Sequence, residues 1–111
     1  MTKVLVVDDT PDIAALMARA LRDQGYDVFV ASDGKSALQG AATVQPDVIL
    51  LDIMMPEMNG IEVLHRLKAD TPLRVIPVIL VTARTDDTDV IAGLDAGAHD
   101  YVTKPFKKEI L

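Results

Sequence analysis

The chain has 111 residues, 50% of them hydrophobic, and its 11 basic and 17 acidic side chains leave a formal net charge of -6. The length fits one domain with a buried core. A chain this acidic repels phosphates, which argues against direct nucleic-acid binding and favours a cation or a basic partner surface. The absence of cysteine excludes disulfides and thiolate metal sites.

Nothing in the sequence predicts a membrane segment. No apolar run approaches the roughly 20 residues that a spanning helix needs. The N-terminal stretch has an apolar run only from Val4 to Val7 and then an acidic pair, which does not resemble a signal peptide. We therefore expect a soluble, cytoplasmic domain without a membrane partner.

Apolar runs alternate with helical patterns along the chain. Short runs of Val, Ile and Leu predict strands, and apolar residues three and four apart predict one face of a helix. The predicted strands, in chain order, are Val4–Val7, Tyr26–Ala31, Val48–Leu51, Val78–Val81 and Asp100–Thr103. Helices are predicted after the candidate caps Thr10, Asp33 and Asn59, around Val90–Leu94, and from residue 107 onward, with a loop over residues 68–74.

This alternation predicts an α/β fold. The first, third and fourth strands are unbroken apolar runs, which is typical of strands buried on both faces of a parallel sheet. The second and fifth carry polar residues and are expected at the edges. We predict a flavodoxin-like, doubly wound parallel sheet of five strands in the order 2-1-3-4-5, with helices on both faces. In such sheets the functional crevice lies at the carboxyl ends of the strands.

Polar side chains stand at the ends of four of the predicted strands. Asp8 and Asp9 follow the first strand, Asp52 the third and Thr82 the fourth, and Lys104 follows the fifth. Because parallel strands end at the same edge of the sheet, these side chains are expected to converge. Nothing in the apolar pattern requires such a cluster.

The residue types in the cluster suit phosphoryl transfer. Three carboxylates close together repel one another, and a hard cation such as Mg²⁺ relieves the repulsion while retaining waters. A carboxylate is also a nucleophile toward phosphorus, which makes an aspartyl-phosphate. A lysine and a hydroxyl then stabilise the phosphoryl oxygens.

Each residue also has an ordinary structural explanation. Asp8, Asp9 or Asp52 alone is a candidate helix or loop cap, Thr82 is a candidate cap or strand end, and Lys104 alone is an ordinary solvated lysine. These single explanations account poorly for the joint arrangement of polar residues at four strand ends.

The separated motifs resemble a known family over essentially the whole chain. The set is similar to the CheY-like receiver domain of two-component response regulators, and the matching segments are VLVVDD, LLDIMMPEMNG, VTA and DYVTKPF. The resemblance implies a phosphorelay switch in which Asp52 accepts a phosphoryl group from a phosphohistidine. The donor is a sensor histidine kinase or a histidine phosphotransfer protein. Such a domain catalyses its own phosphorylation and dephosphorylation without being a metabolic enzyme.

The resemblance also assigns roles to the other residues at the site. Mg²⁺ is expected on Asp8, Asp9, Asp52 and the backbone carbonyl of Met54. Lys104 is expected to pair with the phosphoryl group, and Thr82 and Tyr101 form the switch pair. The bond before Pro105 is expected to be cis. The partner-binding face comprises the fourth helix, the fifth strand and the fifth helix, and contacts an output domain or a downstream protein.

In one respect the chain departs from the family. The fifth helix should continue past Leu111, so we expect residues 1–111 to be a single receiver domain from a longer chain. Two alternatives stay open. A phosphohydrolase of the haloacid-dehalogenase type also uses an aspartate nucleophile and Mg²⁺, although its usual second aspartate is replaced here by Met54. The other is a receiver-like interaction module that is not phosphorylated.

Overall fold

The computed structural model describes residues 2–52, 60–70, 72–82 and 97–103, with the backbone alone for Thr82 and residues 100–103. The elements in chain order are β1 Lys3–Val7, α1 Pro11–Asp23, β2 Asp27–Ala31, α2 Gly34–Val44, β3 Val48–Asp52, α3 Gly60–Ala69, β4 Val78–Thr82 and β5 Asp100–Thr103. Predicted and observed strand ends agree within one residue. The Asn59 cap and the predicted helices around Val90–Leu94 and from residue 107 lie outside the described residues.

The strands form one parallel sheet in the order β2-β1-β3-β4-β5. The prediction of an α/β, flavodoxin-like parallel sheet is therefore confirmed. The long apolar runs of β1 and β3 occupy the middle of the sheet because both of their faces are covered. Among the described helices, none is long and apolar enough to cross a membrane.

The described core has two layers, one on each face of the sheet. Met17, Ala18 and Leu21 of α1 pack with Val4 and Val6 on one face. On the other face, α2 and α3 cover the alternate side chains of the same strands. That cluster includes Leu5, Val7, Ala37, Ala41, Ile49, Leu51, Val63, Leu64 and Leu67. Helices on both faces leave the ends of the strands as the place where polar groups can meet.

The two described helix caps differ from each other. Thr10 occupies the N-cap position of α1, as predicted, but its side chain makes no capping hydrogen bond. Asp33 caps α2 with its side chain, since its Oδ1 accepts the backbone N–H of Ser36 at 2.7 Å. This hydrogen bond lowers the pKa of the Asp33 carboxyl below its ordinary value of 3.8. The contribution of the cap to stability is therefore present above that value and is lost as the pH falls through the lowered pKa.

One prediction of the sequence analysis about the end of α3 is wrong. The stretch 68–74 was expected to be a loop, but α3 continues through Lys68 to Ala69. Apolar periodicity stops at Leu67, and Lys68, Ala69 and Asp70 do not continue the apolar face, so the pattern contains no signal for the last turn. Tertiary contacts of Lys68, described below, stabilise it.

We expect Gly40→Ala to stabilise the domain. Gly40 lies inside α2, and an added Cβ would meet the Leu5 methyl groups at 3.5 and 3.7 Å, which is ordinary contact. Alanine favours a helix interior by up to about 1 kcal/mol over glycine. Gly25→Ala is the matched control, because its φ of +92° is strained for alanine although the surrounding space is open. Urea unfolding measures both variants, and a loss of stability in Gly40→Ala contradicts this account.

Candidate functional site

The candidate site lies at the carboxyl edge of the sheet, between its two central strands. β1 and β3 are direct neighbours in parallel register, with Val7 opposite Leu51. The residue after each of these two is therefore delivered to the same edge. These residues are Asp8, which is 1% exposed, and Asp52, which is 4% exposed. Within the described part of the chain, Asp8 and Asp52 are the charged residues that are buried.

Asp9 completes a cluster with these two aspartates. One carboxylate oxygen from each of Asp8, Asp9 and Asp52 lies within 4.8 Å of the other two. Asp9 is half-buried, whereas Asp8 and Asp52 are enclosed. The sequence analysis expected these three side chains to converge, and the structure places them together.

Backbone hydrogen bonds hold Asp8 in position. Its N–H donates to the Ala31 carbonyl of the edge strand β2 at 3.1 Å, so the β1–β2 pairing continues to the site. Its Oδ1 accepts the N–H of Thr10 at 2.9 Å, which is a short aspartate turn. The sequence analysis missed this turn, although an aspartate two residues before the N-cap Thr10 is the signal for it. Asp8 therefore organises the entry to α1 while its carboxylate also faces the cluster.

The donor set fits a hard divalent cation. All three groups are carboxylates, the ligands that Mg²⁺ and Ca²⁺ prefer. Two ligands on opposite sides of one Mg²⁺ are about 4.2 Å apart, close to the spread of this cluster. A small closure, or one water between an aspartate and the ion, accommodates the difference. The acidic cluster could thus bind a metal ion.

The remaining predicted site residues are described only in part. The backbone of Thr82 ends β4 and pairs with Thr103 of β5, while Asp52 pairs with Val81. Thr82 is therefore one strand away from Asp52 at the same edge, and Lys104 follows β5 directly in sequence. The side chains of Thr82 and Tyr101 are not among the described features. Met54, Lys104 and Pro105 lie outside the described residues, so their roles stay predictions.

Fold and cluster together define a flavodoxin-like α/β protein with a candidate metal site at the carboxyl edge of the sheet. The family model of the response regulator receiver domain matches residues 4–111. The chain belongs to this family of phosphorelay switches. The alternatives, a haloacid-dehalogenase-like phosphohydrolase and a non-phosphorylated module, are not favoured.

Relatives of the chain include DNA-binding and transcriptional regulators. It is 46% identical over 109 residues to the DNA-binding response regulator MtrA of Mycolicibacterium smegmatis, covering 98% of this chain and 46% of that protein. It is 45% identical over 104 residues to the alkaline phosphatase synthesis transcriptional regulatory protein PhoP of Bacillus subtilis, covering 94% of this chain and 42% of that protein. The chain thus spans slightly less than half the length of these relatives.

Solved structures show the same fold. The chemotaxis protein CheY4 of Vibrio cholerae superposes with a TM-score of 0.93 at 35% identity, covering 98% of this chain and 91% of that chain. A response regulator of Chloroflexus aurantiacus also superposes with a TM-score of 0.93, at 33% identity, covering 98% of this chain and 89% of that chain.

Proposed function

We propose that Asp52 is the phospho-acceptor of this receiver domain. The observation that carries the proposal is the cluster itself, in which a buried aspartate at the end of a central strand lies beside two other aspartates. A single aspartate after a strand has ordinary explanations. Burial of a carboxylate beside two like charges costs free energy, and a functional site accounts for that cost.

In the proposed reaction, a carboxylate oxygen of Asp52 attacks the phosphorus of a phosphohistidine. An O–P bond forms, the P–N bond breaks, and the released imidazole takes up a proton. Burial of Asp52 holds the nucleophile in one orientation. The entropic cost of orienting a free carboxylate in the transition state is therefore reduced. Hydrolysis of the acyl phosphate by water returns the domain to its resting form.

Mg²⁺ is the proposed cofactor, held by Asp8, Asp9 and Asp52 together with the carbonyl of Met54. When bound, it neutralises charge on the carboxylates and on the phosphoryl oxygens. Asp9, the most exposed of the three carboxylates, is proposed as a direct ligand, and Asp8 as one that acts through water. The Thr10 N–H already occupies Oδ1 of Asp8, which supports the more indirect role.

We propose that residues at the carboxyl ends of β4 and β5 respond to the phosphoryl group. Lys104 pairs with the phosphoryl oxygens, and Thr82 moves toward them. Tyr101 then turns inward, and the Lys104–Pro105 bond is proposed to be cis. The strand pairing of Thr82 with Thr103 supports this proposal, because it brings the two strand ends next to each other.

The proposed partners follow from the family. A sensor histidine kinase or a histidine phosphotransfer protein donates the phosphoryl group, in the cytoplasm. The output is an attached domain or a downstream protein that contacts the face built from the predicted fourth helix, β5 and the predicted fifth helix. The names of the relatives describe DNA-binding and transcriptional regulators, which favours a DNA-binding output domain. The receiver itself makes no direct contact with nucleic acid.

Incubation with acetyl phosphate and Mg²⁺ tests the proposal. We expect one acid-stable, base-labile phosphoryl adduct, located on Asp52 by peptide mass spectrometry. Beryllofluoride should bind at the same residue. Absence of any adduct in the intact protein overturns the proposal, and rapid turnover of many phosphate esters would instead indicate a phosphohydrolase.

A further inference from the structure

Lys68 makes an unusual set of contacts for a lysine at the end of a surface helix. Its Nζ donates to the carbonyl of Arg74 at 3.0 Å and to the carbonyl of Ile76 at 3.2 Å. Both acceptors lie in the connection between α3 and β4. The side chain is half-buried, and the loss of solvent lowers the pKa of its ammonium from the ordinary value of 10.5. The ammonium therefore holds a connection whose described residues have no regular helix or strand hydrogen bonding.

The aliphatic part of Lys68 lies against a second segment, the turn at Gly97. A Cβ added to Gly97 would be 3.2 Å from Lys68 Cγ and 3.3 Å from Lys68 Cε. Gly97 also has φ of +109°, which favours glycine. One side chain thus contacts two segments that are separate in sequence.

The Gly97 turn leads directly into β5. The N–H of His99 donates to the Val78 carbonyl at 2.8 Å, which begins the pairing of β5 with β4. Ala98 packs against the core cluster that contains Leu64 and Leu67 of α3. The turn is therefore joined to β5 by the chain and to β4 and α3 by these contacts, and β5 ends at Thr103.

We propose that Lys68 is a positioning residue for the phosphoryl site, acting through the Gly97 turn and β5 on Lys104. The inference rests on the proposed function, since it assigns Lys104 to the phosphoryl group. Two hydrogen bonds fix the Lys68 ammonium on the connection between α3 and β4, and its stem packs against the Gly97 turn that precedes β5. The strand carries the placement of that turn to its carboxyl end. Asp8 and Asp9 follow β1 and Asp52 ends β3, so the three aspartates lie outside the Gly97 turn and β5.

Lys68→Met tests the proposal because methionine keeps an apolar stem and removes the ammonium. The matched control is Arg66→Met on the same helix, where the cation is 57% exposed and meets Glu62 at 3.4 Å. We expect Lys68→Met to speed amide hydrogen exchange at His99 about tenfold. Its phosphorylation rate with acetyl phosphate should fall about tenfold, as a small misplacement of a catalytic group predicts. Mg²⁺ affinity should stay unchanged, and Arg66→Met should match the wild type in all three measurements.

Lys68→Arg provides the rescue. Arginine keeps a cation with several N–H donors for the two carbonyls, so exchange at His99 and phosphorylation should return toward the wild-type values. If Lys68→Met does not fold, Gly97→Ala tests the same contact from the other segment, because the added Cβ crowds the Lys68 stem while the ammonium is kept. Lys68→Ala, Gly97→Ala and their double variant also form a cycle. We expect the two changes to be non-additive, since the lysine stem that crowds a Cβ at position 97 is absent in the double variant.

The outcomes separate this inference from the proposed function. If the wild-type domain takes no phosphoryl group, the proposed function fails, and with it the role of Lys68 in phosphorylation. If the wild type is phosphorylated but Lys68→Met reacts at the same rate, the positioning role is overturned. A parallel fall in Mg²⁺ affinity also overturns it, because general damage to the sheet edge would then explain the slower reaction.

Discussion

Asp52→Asn should abolish phosphorylation and at the same time stabilise the metal-free domain. The amide has the shape of the carboxylate but is not a nucleophile toward phosphorus, so the adduct disappears. Asp52 is 4% exposed, and its carboxylate lies beside those of Asp8 and Asp9. Removal of one of three neighbouring charges relieves repulsion and a desolvation cost, which we expect to increase the free energy of unfolding by on the order of 1 kcal/mol.

Urea unfolding in the presence of a chelator measures the stability change, and acetyl phosphate measures the chemistry. Asp70→Asn is the matched control, because Asp70 is an exposed aspartate in the α3–β4 connection and lies outside the cluster. Its stability should change by less than about 0.5 kcal/mol, and its phosphorylation should not change. A clear loss of stability in Asp52→Asn would mean that attractive contacts of the carboxylate outweigh the repulsion within the cluster.

Mg²⁺ should raise the melting temperature of the wild-type domain strongly. A ligand that binds only the folded state adds about 2.7 kcal/mol at a concentration one hundred times its Kd. For a domain of this size, that free energy corresponds to a shift of roughly 10 °C. The shift arises because the ion neutralises three carboxylates that otherwise repel one another.

The same titration on variants locates the ion. Asp8→Asn, Asp9→Asn and Asp52→Asn should each lose most of the shift, because each removes one carboxylate of the cluster. Asp70→Asn should keep it, and sodium chloride at equal ionic strength should produce only a small change. An equal Mg²⁺ shift in wild type and in Asp9→Asn would show that the ion binds elsewhere.

Much of the fold follows from local pattern. The apolar runs of β1, β3 and β4 predict buried parallel strands because side chains on both faces must leave water. The polar residues of β2 and β5 predict edges, which is where both strands lie. Asp33 predicts the start of α2 through a hydrogen bond to Ser36 that local geometry alone can form.

The candidate site could be predicted for a related reason. Parallel strands that end on the same side deliver the next residue to one edge, so Asp8 and Asp52 meet although they are distant in sequence. The register itself, with Val7 opposite Leu51, is a property of the assembled sheet. The same holds for the bond between the Asp8 N–H and Ala31, which depends on how far β1 and β2 remain paired.

By itself, the sequence determined the parallel α/β class, the order of elements and the aspartates that gather at the edge of the sheet, because periodicity and strand ends are local features. Only the tertiary structure decided the separations within the cluster, the hydrogen bond from Asp8 to Ala31, and the contacts of Lys68. In the sequence, Lys68 looks like a solvated lysine at the start of a loop. Its carbonyl partners and Gly97 become its neighbours only when α3, the connection to β4 and the turn before β5 pack together. The partial burial of that side chain is a consequence of packing, which no local pattern encodes.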